Sequence, residues 1–245
     1  GMLCSTVARI KSELGLAVTL SLGERPREDL EAFRQAGADR YLLRFETSDE
    51  DLYRRIHPSI PGHERTRFEI LRELRDLGYE TGSGVMVGIP GQTFEGLARD
   101  ICLFRELDLD MVGVGPYIPH PDTSLPRKAA PIPGNEQVPA TAEMALRAVA
   151  ITRLICPEAN LPSTTAVTTL DGCEGRVHGL TRGANVIMPN LTPLKYRALY
   201  DIYPAKAGSL EDAATSDRLV RDLLSSLNRP PGHGPGDRVR TSGVR

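Results

Sequence analysis

Short apolar runs alternate with amphipathic segments along most of this chain. Six runs have the length and composition of β-strands: residues 16–22, 40–46, 84–89, 111–115, 161–166 and 185–188. Helical periodicity predicts helices over residues 27–36, 64–77, 93–107, 140–155 and 210–227. Strands that alternate with helices are typical of βαβ units, so we expect an α/β protein with a parallel sheet.

Two large parallel architectures are considered, the dinucleotide-binding fold and the (β/α)8 barrel, and the glycine motif and the strand count distinguish them. Gly113-x-Gly115 continues into Pro116 rather than into a helix, so it is no dinucleotide-binding fingerprint. A (β/α)8 TIM-type barrel needs about 250 residues for eight βα units. The chain has 245 residues but six recognisable units. We therefore expect a partial barrel that lacks two units.

Two segments fall outside this alternation. Residues 127–139 are rich in Pro and Ala and are typical of a long loop. Residues 228–245 are rich in Pro, Gly and Arg, a composition that favours disorder. The expected division is a partial barrel over residues 1–227 and a disordered tail over residues 228–245.

Charge and cysteine usage exclude several classes of function. A net charge of -2 offers no basic surface for nucleic acid or an anionic membrane, and no apolar run is long enough to span a bilayer. Four cysteines form no disulfide framework, which indicates the cytoplasm. They stand at positions 4, 102, 156 and 173, too far apart to predict a metal or iron–sulfur site.

Polar or otherwise special residues end each predicted strand, where barrel enzymes carry their chemistry. They are Thr19 and Ser21, Arg44 and Glu46, the Gly88-Ile89-Pro90 turn, Tyr117, Thr164 and Thr165, and Met188. Each of these residues could instead serve only to stabilise the fold. Arg44 and Glu46 share a strand face and could form a purely stabilising ion pair, and the threonines are ordinary β-formers.

Seven motifs occur in order along nearly the whole chain. They are TLSLGE (19–24), RYLLRFET (40–47), GYETGSGVMVGIPGQT (78–93), DMVGVGPYIPHPDT (110–123), PSTTA (162–166), GANVIMPN (183–190) and YRALYDIYP (196–204). Together they resemble the radical S-adenosylmethionine (SAM) maturases of [FeFe]-hydrogenase, the HydE type, which is close to biotin synthase and methylornithine synthase.

The resemblance implies a specific chemistry. Such enzymes are (β/α)8 barrels that bind SAM and a [4Fe-4S] cluster, whose three Cys ligands form a C-x3-C-x2-C motif after the first strand. The cluster cleaves SAM to a 5′-deoxyadenosyl radical, which acts on a cysteine-bound iron carbonyl/cyanide precursor. The resemblance also implies other hydrogenase maturation proteins as partners. By the same comparison this chain begins near the third strand and lacks that motif, so we expect a truncated chain that is inactive alone.

Residue roles follow from the resemblance position by position. Glu46 matches a SAM contact, and Arg67 matches the partner of the SAM carboxylate, with Arg65 as its alternative. The Gly88-Ile89-Pro90 backbone matches the adenine-binding strand end. Met188, Tyr200 and Tyr203 match residues that line the SAM pocket. The inner, substrate-facing positions are Thr19, Ser21, Arg44, Thr164 and Thr165.

Two alternatives stay open beside this interpretation. The chain could belong to a methylornithine or biotin synthase relative, with a different substrate in the same kind of barrel. It could also be a cluster-free remnant that binds only a ligand or a partner. Residues 205–217, where some relatives carry a second cluster, contain no Cys, so no second cluster is expected.

Overall fold

Helices and strands alternate in the computed structural model, which describes residues 1–57, 65–123, 136–197 and 211–240 together with residues 125, 134 and 199. In chain order the elements are α1 (Met2–Leu14), β1 (Thr19–Leu20), α2 (Arg27–Gln35), β2 (Arg40–Leu42), α3 (Glu50–Ile56), α4 (Arg67–Asp76), β3 (Glu80–Val87), α5 (Phe94–Glu106), β4 (Met111–Pro116), α6 (Ala142–Ile155), β5 (Pro162–Ser163), α7 (Thr165–Asp171), α8 (Gly175–Thr181), β6 (Val186–Ile187), α9 (Leu194–Arg197) and α10 (Ala213–Ser226).

The strands are parallel and follow one another in chain order. One sheet has the order β1-β2-β3-β4, and β5 pairs with β6 in a second ladder. An isolated parallel bridge between Met111 and Asn160 links the two ladders. The α/β alternation is therefore as predicted, although several ladders are shorter than the apolar runs that suggested them.

Several helices of the described structure were not predicted from the sequence, and α3 is the one nearest the strand-end residues of β2. Helix α3 has seven residues, too few to show a clear apolar stripe. It begins because the Asp49 side chain accepts a hydrogen bond from Leu52 N, and because acidic residues occupy its first turn and arginines its last. This helix follows β2 and lies over the carboxyl end of the sheet.

The side chains of β2 and the residues after it alternate between two faces. Tyr41, Leu43 and Phe45 are buried, and the Phe45 ring packs against Phe68 of α4 and Phe104 of α5 with centroid distances of 5.0 and 5.7 Å. This face forms the core between sheet and helices. The intervening residues, which include Arg44 and Glu46, therefore point to the inner face of the barrel.

Glycines occupy much of that inner face on the two neighbouring strands. Gly84 pairs with Gly113, and Gly115 follows on the same side of β4. A Cβ atom on Gly84 would lie 2.0 Å from the Gly113 carbonyl oxygen. The absence of side chains at these positions keeps the inner face open beside Arg44.

The C-terminal segment lies against the starts of the strands. Arg238 pairs with Asp108 and Glu158 at 2.6 and 3.2 Å, and Arg240 pairs with Asp108 and Asp110 at 2.8 and 2.9 Å. Composition favoured disorder for this region, but these arginines meet carboxylates that stand far away in the sequence. Burial alone would raise the pKa of Asp108, yet hydrogen bonds from Arg240 and Arg238 lower it.

We expect Arg238→Ala to lower the free energy of unfolding by about 1–3 kcal/mol at pH 7, because buried Asp110 and half-buried Asp108 lose a charged partner. The lowered pKa of Asp108 means that its contribution is present above its unfolded pKa of about 4 and is lost as the pH falls further. Urea denaturation at several pH values measures both effects.

The matched control is Arg221→Ala, which removes an exposed i,i+4 pair with Asp217 on α10. Such exposed pairs contribute about 0.3–0.5 kcal/mol. Equal losses for the two variants would contradict an anchoring role for Arg238.

Among the described helices, none is long and apolar enough for a bilayer crossing.

Candidate functional site

Glu46 has an unusual backbone conformation at the carboxyl end of β2. Its φ of 65° lies in the left-handed region, which non-glycine residues seldom adopt. Its amide donates to the Gly84 carbonyl at 3.0 Å, and Glu46 forms a parallel bridge with Val85. These contacts attach the residue to β3 and keep it at the mouth of the barrel.

Arg44 and Glu46 form an ion pair on the inner face. Arg44 Nη2 lies 3.2 Å from Glu46 Oε2, and the same guanidinium donates to the Val85 carbonyl. Arg44 Nε, by contrast, is buried with no hydrogen-bond partner within the described part of the chain. Buried polar atoms are almost always hydrogen-bonded in proteins, so this nitrogen is a candidate donor to a bound anionic group.

Arg67, the first residue of α4, extends toward the same corner. Its Nε lies 2.8 Å from Glu24 Oε1, its Nη1 donates to the Arg44 carbonyl, and its guanidinium lies over the Tyr53 ring. Arg65, the alternative, is more exposed and pairs with Glu73. Of the two arginines, Arg67 is the one that contacts the Arg44 backbone.

His57 packs beside this group, stacked on Tyr53 with a centroid distance of 4.2 Å. Burial, with a further contribution from the positive charge of Arg67, lowers the pKa of His57 to about 4. The imidazole is therefore neutral near pH 7, and it adds no charge to the cluster.

The Gly88-Ile89-Pro90 turn is held by two glutamines. Gly88 N donates to Gln92 Oε1 at 2.7 Å, and the Ile89 carbonyl accepts from Gln137 Nε2 at 3.1 Å. A Cβ on Gly88, whose φ is 87°, would lie 2.3 Å from the Ala140 backbone. Gln92 and Gln137 thus fix the conformation of the turn that the resemblance matches to the adenine-binding strand end.

The ends of β4 and β5 meet on the inner face. Thr164 Oγ1 lies 3.0 Å from the position that a Cβ on Gly115 would occupy, and it accepts the Val167 amide as the cap of α7. Thr165 is the first residue of that helix and is half-buried. Tyr117 N donates to the Val87 carbonyl, and the Tyr117 hydroxyl is buried with no partner among the described residues.

Other predicted site residues lie apart from this cluster or cannot be placed. Thr19 is paired with Arg40, the first residue of β2, and both Thr19 and Ser21 are exposed. They share the inner face but lie closer to the start of the sheet than Arg44. Met188 follows β6 and is 53% exposed. Tyr200 and Tyr203 lie outside the described residues.

The structure adds Glu24, which the sequence interpretation did not assign to the site, and gives a position to Tyr117, for which no role had been assigned. Glu24 pairs with Arg67, and Tyr117 offers a buried hydroxyl beside the end of β3. Each stands in a quoted motif, Glu24 at the end of TLSLGE and Tyr117 within DMVGVGPYIPHPDT. Their positions after β1 and β4 are the sequence signal that could have identified them as site residues.

The chemistry of the mouth suits SAM but the cysteines do not suit an iron–sulfur cluster. The Glu46 carboxylate pairs with Arg44, and because each carboxylate oxygen can accept more than one hydrogen bond, it also suits the ammonium or hydroxyl donors of SAM. Cys4 lies on α1, exposed Cys102 on α5, and buried Cys156 directly after α6. Across the described ranges no group of three or more potential metal ligands comes together.

Comparison with known proteins agrees with this geometry. Residues 5–103 match the Radical SAM superfamily. The chain is 44% identical over 96% of its length to the [FeFe] hydrogenase maturase subunit HydE of Thermotoga maritima, and it covers 64% of that protein. It is 32% identical to 3-methylornithine synthase of Methanosarcina acetivorans, covering 90% of this chain and 57% of the relative. The chain thus spans less than two thirds of either relative.

Solved structures show the same fold at low sequence identity. Methylornithine synthase (PylB) superposes with a TM-score of 0.67 at 22% identity, over 95% of this chain and 64% of that chain. The hydrogenase maturase HydG gives 0.60 at 16% identity, over 76% and 41%. The expected partial TIM-type barrel is confirmed. The chain thus resembles the Radical SAM superfamily over residues 5–103 and the HydE maturase over nearly its whole length.

Proposed function

We propose that this chain forms the SAM-binding and substrate-binding part of a HydE-type radical SAM enzyme. The observation that carries the proposal is the Arg44–Glu46 ion pair at the barrel mouth, in which Arg44 Nε is buried and has no partner in the described structure. The Glu46 carboxylate suits the SAM ammonium, and the adjacent Arg44 guanidinium suits an anionic group of the substrate.

Within this proposal, different residues at the barrel mouth bind different parts of the SAM molecule. Glu46 accepts the ammonium or the ribose hydroxyls, and Arg67 recognises the carboxylate. Arg67 uses Nε and Nη1 for its contacts within the protein. Because a guanidinium has five N–H donors, its remaining donors can bind the SAM carboxylate at the same time. The Gly88-Ile89-Pro90 turn borders the adenine, and Met188 contributes to the remaining surface. The resemblance assigns Tyr200 and Tyr203 to the same pocket, although both lie outside the described residues.

The substrate lies deeper on the inner face. Arg44 Nε supplies a donor for an anionic group, and the glycines on β3 and β4 leave space beside it. Thr164 and Thr165 border this space from β5, with Thr19 and Ser21 farther toward the strand starts. A small anionic, cysteine-bound iron carbonyl/cyanide precursor fits these donors, and the 44% identity to HydE supports that substrate over methylornithine precursors.

Bound to a reduced [4Fe-4S] cluster, SAM supplies a 5′-deoxyadenosyl radical. The cysteines of this chain do not form a ligand set for such a cluster in the described ranges, so no step of that chemistry is assigned to them. The chain's own residues bind and orient the two small molecules. We propose that they act in the cytoplasm, together with other hydrogenase maturation proteins.

A thermal-shift experiment tests this proposal. SAM is expected to raise the melting temperature of the 245-residue chain progressively, with the logarithm of ligand concentration above the Kd, because it binds the folded state alone. Chromatography of the same anaerobic sample, after incubation with iron, sulfide and dithionite, is expected to show no 5′-deoxyadenosine. No shift at millimolar SAM would contradict the proposed binding, and formation of 5′-deoxyadenosine would contradict the assignment of the chain as a binding part only.

A further inference from the structure

Asp100 of α5 lies directly behind the segment that carries Glu46. It is fully buried, with 0% of its surface exposed, and its Oδ1 accepts the Ser48 amide at 2.6 Å. Its Oδ2 and the nearby Ser48 hydroxyl are buried without partners in the described structure. A carboxylate in such a place costs free energy unless hydrogen bonds offset it, so the contact of Asp100 with the Thr47–Ser48 segment calls for an explanation.

The connection between β2 and α3 is held by a series of local hydrogen bonds. Thr47 N donates to the Phe45 carbonyl at 2.8 Å, Asp49 N donates to Thr47 Oγ1 at 3.1 Å, and Asp49 caps α3. The hydrogen bond from the Ser48 amide to Asp100 attaches the middle of this connection to helix α5. The left-handed backbone of Glu46 stands immediately before it.

Helix α5 holds both sides of Glu46. Phe104 stands one turn after Asp100 on the same helix face and packs on the Phe45 ring at 5.7 Å. Phe45 precedes Glu46 and Ser48 follows it by two residues, so one helix contacts the chain before and after the strained residue. A left-handed φ at a non-glycine residue costs about 1–3 kcal/mol and persists where surrounding contacts enforce it.

We propose that Asp100 is a positioning residue, which by binding the Ser48 amide holds the β2–α3 connection and so fixes the Glu46 carboxylate at the barrel mouth. The inference rests on the proposed function, because Glu46 is the SAM contact in that proposal. Burial raises the pKa of Asp100 to about 6, and hydrogen bonds from Ser48 and Thr47, with a smaller contribution from the charge of Arg99, oppose this rise. These opposing hydrogen bonds come from the same connection that Asp100 holds.

The experiment compares three variants of the full chain by SAM affinity and by hydrogen exchange at the Ser48 amide. Asp100→Ala is expected to weaken SAM binding about tenfold and to speed Ser48 exchange at least as much, because the amide loses its acceptor. Asp100→Asn keeps an acceptor oxygen and is expected to restore both readings to within about threefold of the original chain. Ile101→Ala is the control for lost core packing on the same helix.

The outcomes separate this inference from the proposed function. Ile101→Ala is expected to lower the melting temperature while Ser48 exchange relative to its neighbours and SAM affinity stay unchanged. Unaltered Ser48 exchange in Asp100→Ala, equal loss of affinity in Ile101→Ala, or no recovery in Asp100→Asn would overturn the positioning role. Absence of SAM binding by the unsubstituted chain would instead overturn the proposed function, whatever the exchange data show.

Discussion

Glu46→Gln is expected to weaken SAM binding by about 10- to 100-fold, because a hydrogen bond to a charged group contributes about 1.5–3 kcal/mol. The amide keeps the shape of the side chain but removes the negative charge that faces the SAM ammonium. It also removes the partner of Arg44, which lies 3.2 Å away. Isothermal titration of the purified chain with SAM at pH 7.5 measures the change.

Glu50→Gln is the matched control for this substitution. Glu50 stands in the first turn of α3, four residues after Glu46, and is exposed to solvent. Its charge is therefore screened, and we expect SAM affinity to change by less than about twofold. If both variants bound SAM as the unsubstituted chain does, Glu46 would not be a SAM contact.

The second large effect that we expect is a loss of stability when Gly84 is replaced. Gly84→Ala is expected to lower the free energy of unfolding by about 3 kcal/mol or more, because the new methyl group would lie 2.0 Å from the Gly113 carbonyl oxygen. The neighbouring atoms are backbone of a paired strand, so they cannot move aside without breaking the β3–β4 ladder. Chemical denaturation followed by far-UV circular dichroism measures the loss.

Gly113→Ala separates this clash from a general intolerance of alanine on the inner face. Among the described residues, a Cβ at Gly113 meets only the Ser83 carbonyl oxygen within 4 Å, at an ordinary 3.8 Å. We expect its stability to remain within about 1 kcal/mol of the original chain. A similar loss for both variants would show that the inner face, rather than the contact of Gly84 with β4, sets the cost.

The alternation of elements could be predicted because its causes are local. Apolar runs of period 2 and stripes of period 3.6 place strands and helices within a few residues of their positions in the structure. Ladder lengths could not be predicted, because pairing at β1 or β5 depends on neighbouring strands. Helix α3 depends on the Asp49 cap, and contacts of Arg238 depend on carboxylates 80 to 130 residues away.

The site could be predicted in its residue types more than in its geometry. The motif around Arg44 and Glu46 pointed to the barrel mouth, and the structure places the two side chains in contact there. The left-handed backbone of Glu46 and the engagement of Arg67 by Glu24 have no local signature. The glutamine contacts at Gly88 and Ile89 join distant segments, so they too required the fold.

The central claim is that the Glu46 corner of the barrel mouth binds SAM. A crystal structure of the chain with SAM tests it most directly. We expect the ammonium or a ribose hydroxyl within about 3.5 Å of the Glu46 carboxylate, with the adenine beside Gly88-Ile89-Pro90. SAM bound elsewhere, for example in the groove between α4 and α5 lined by Phe68, Arg72 and Leu103, would contradict the claim.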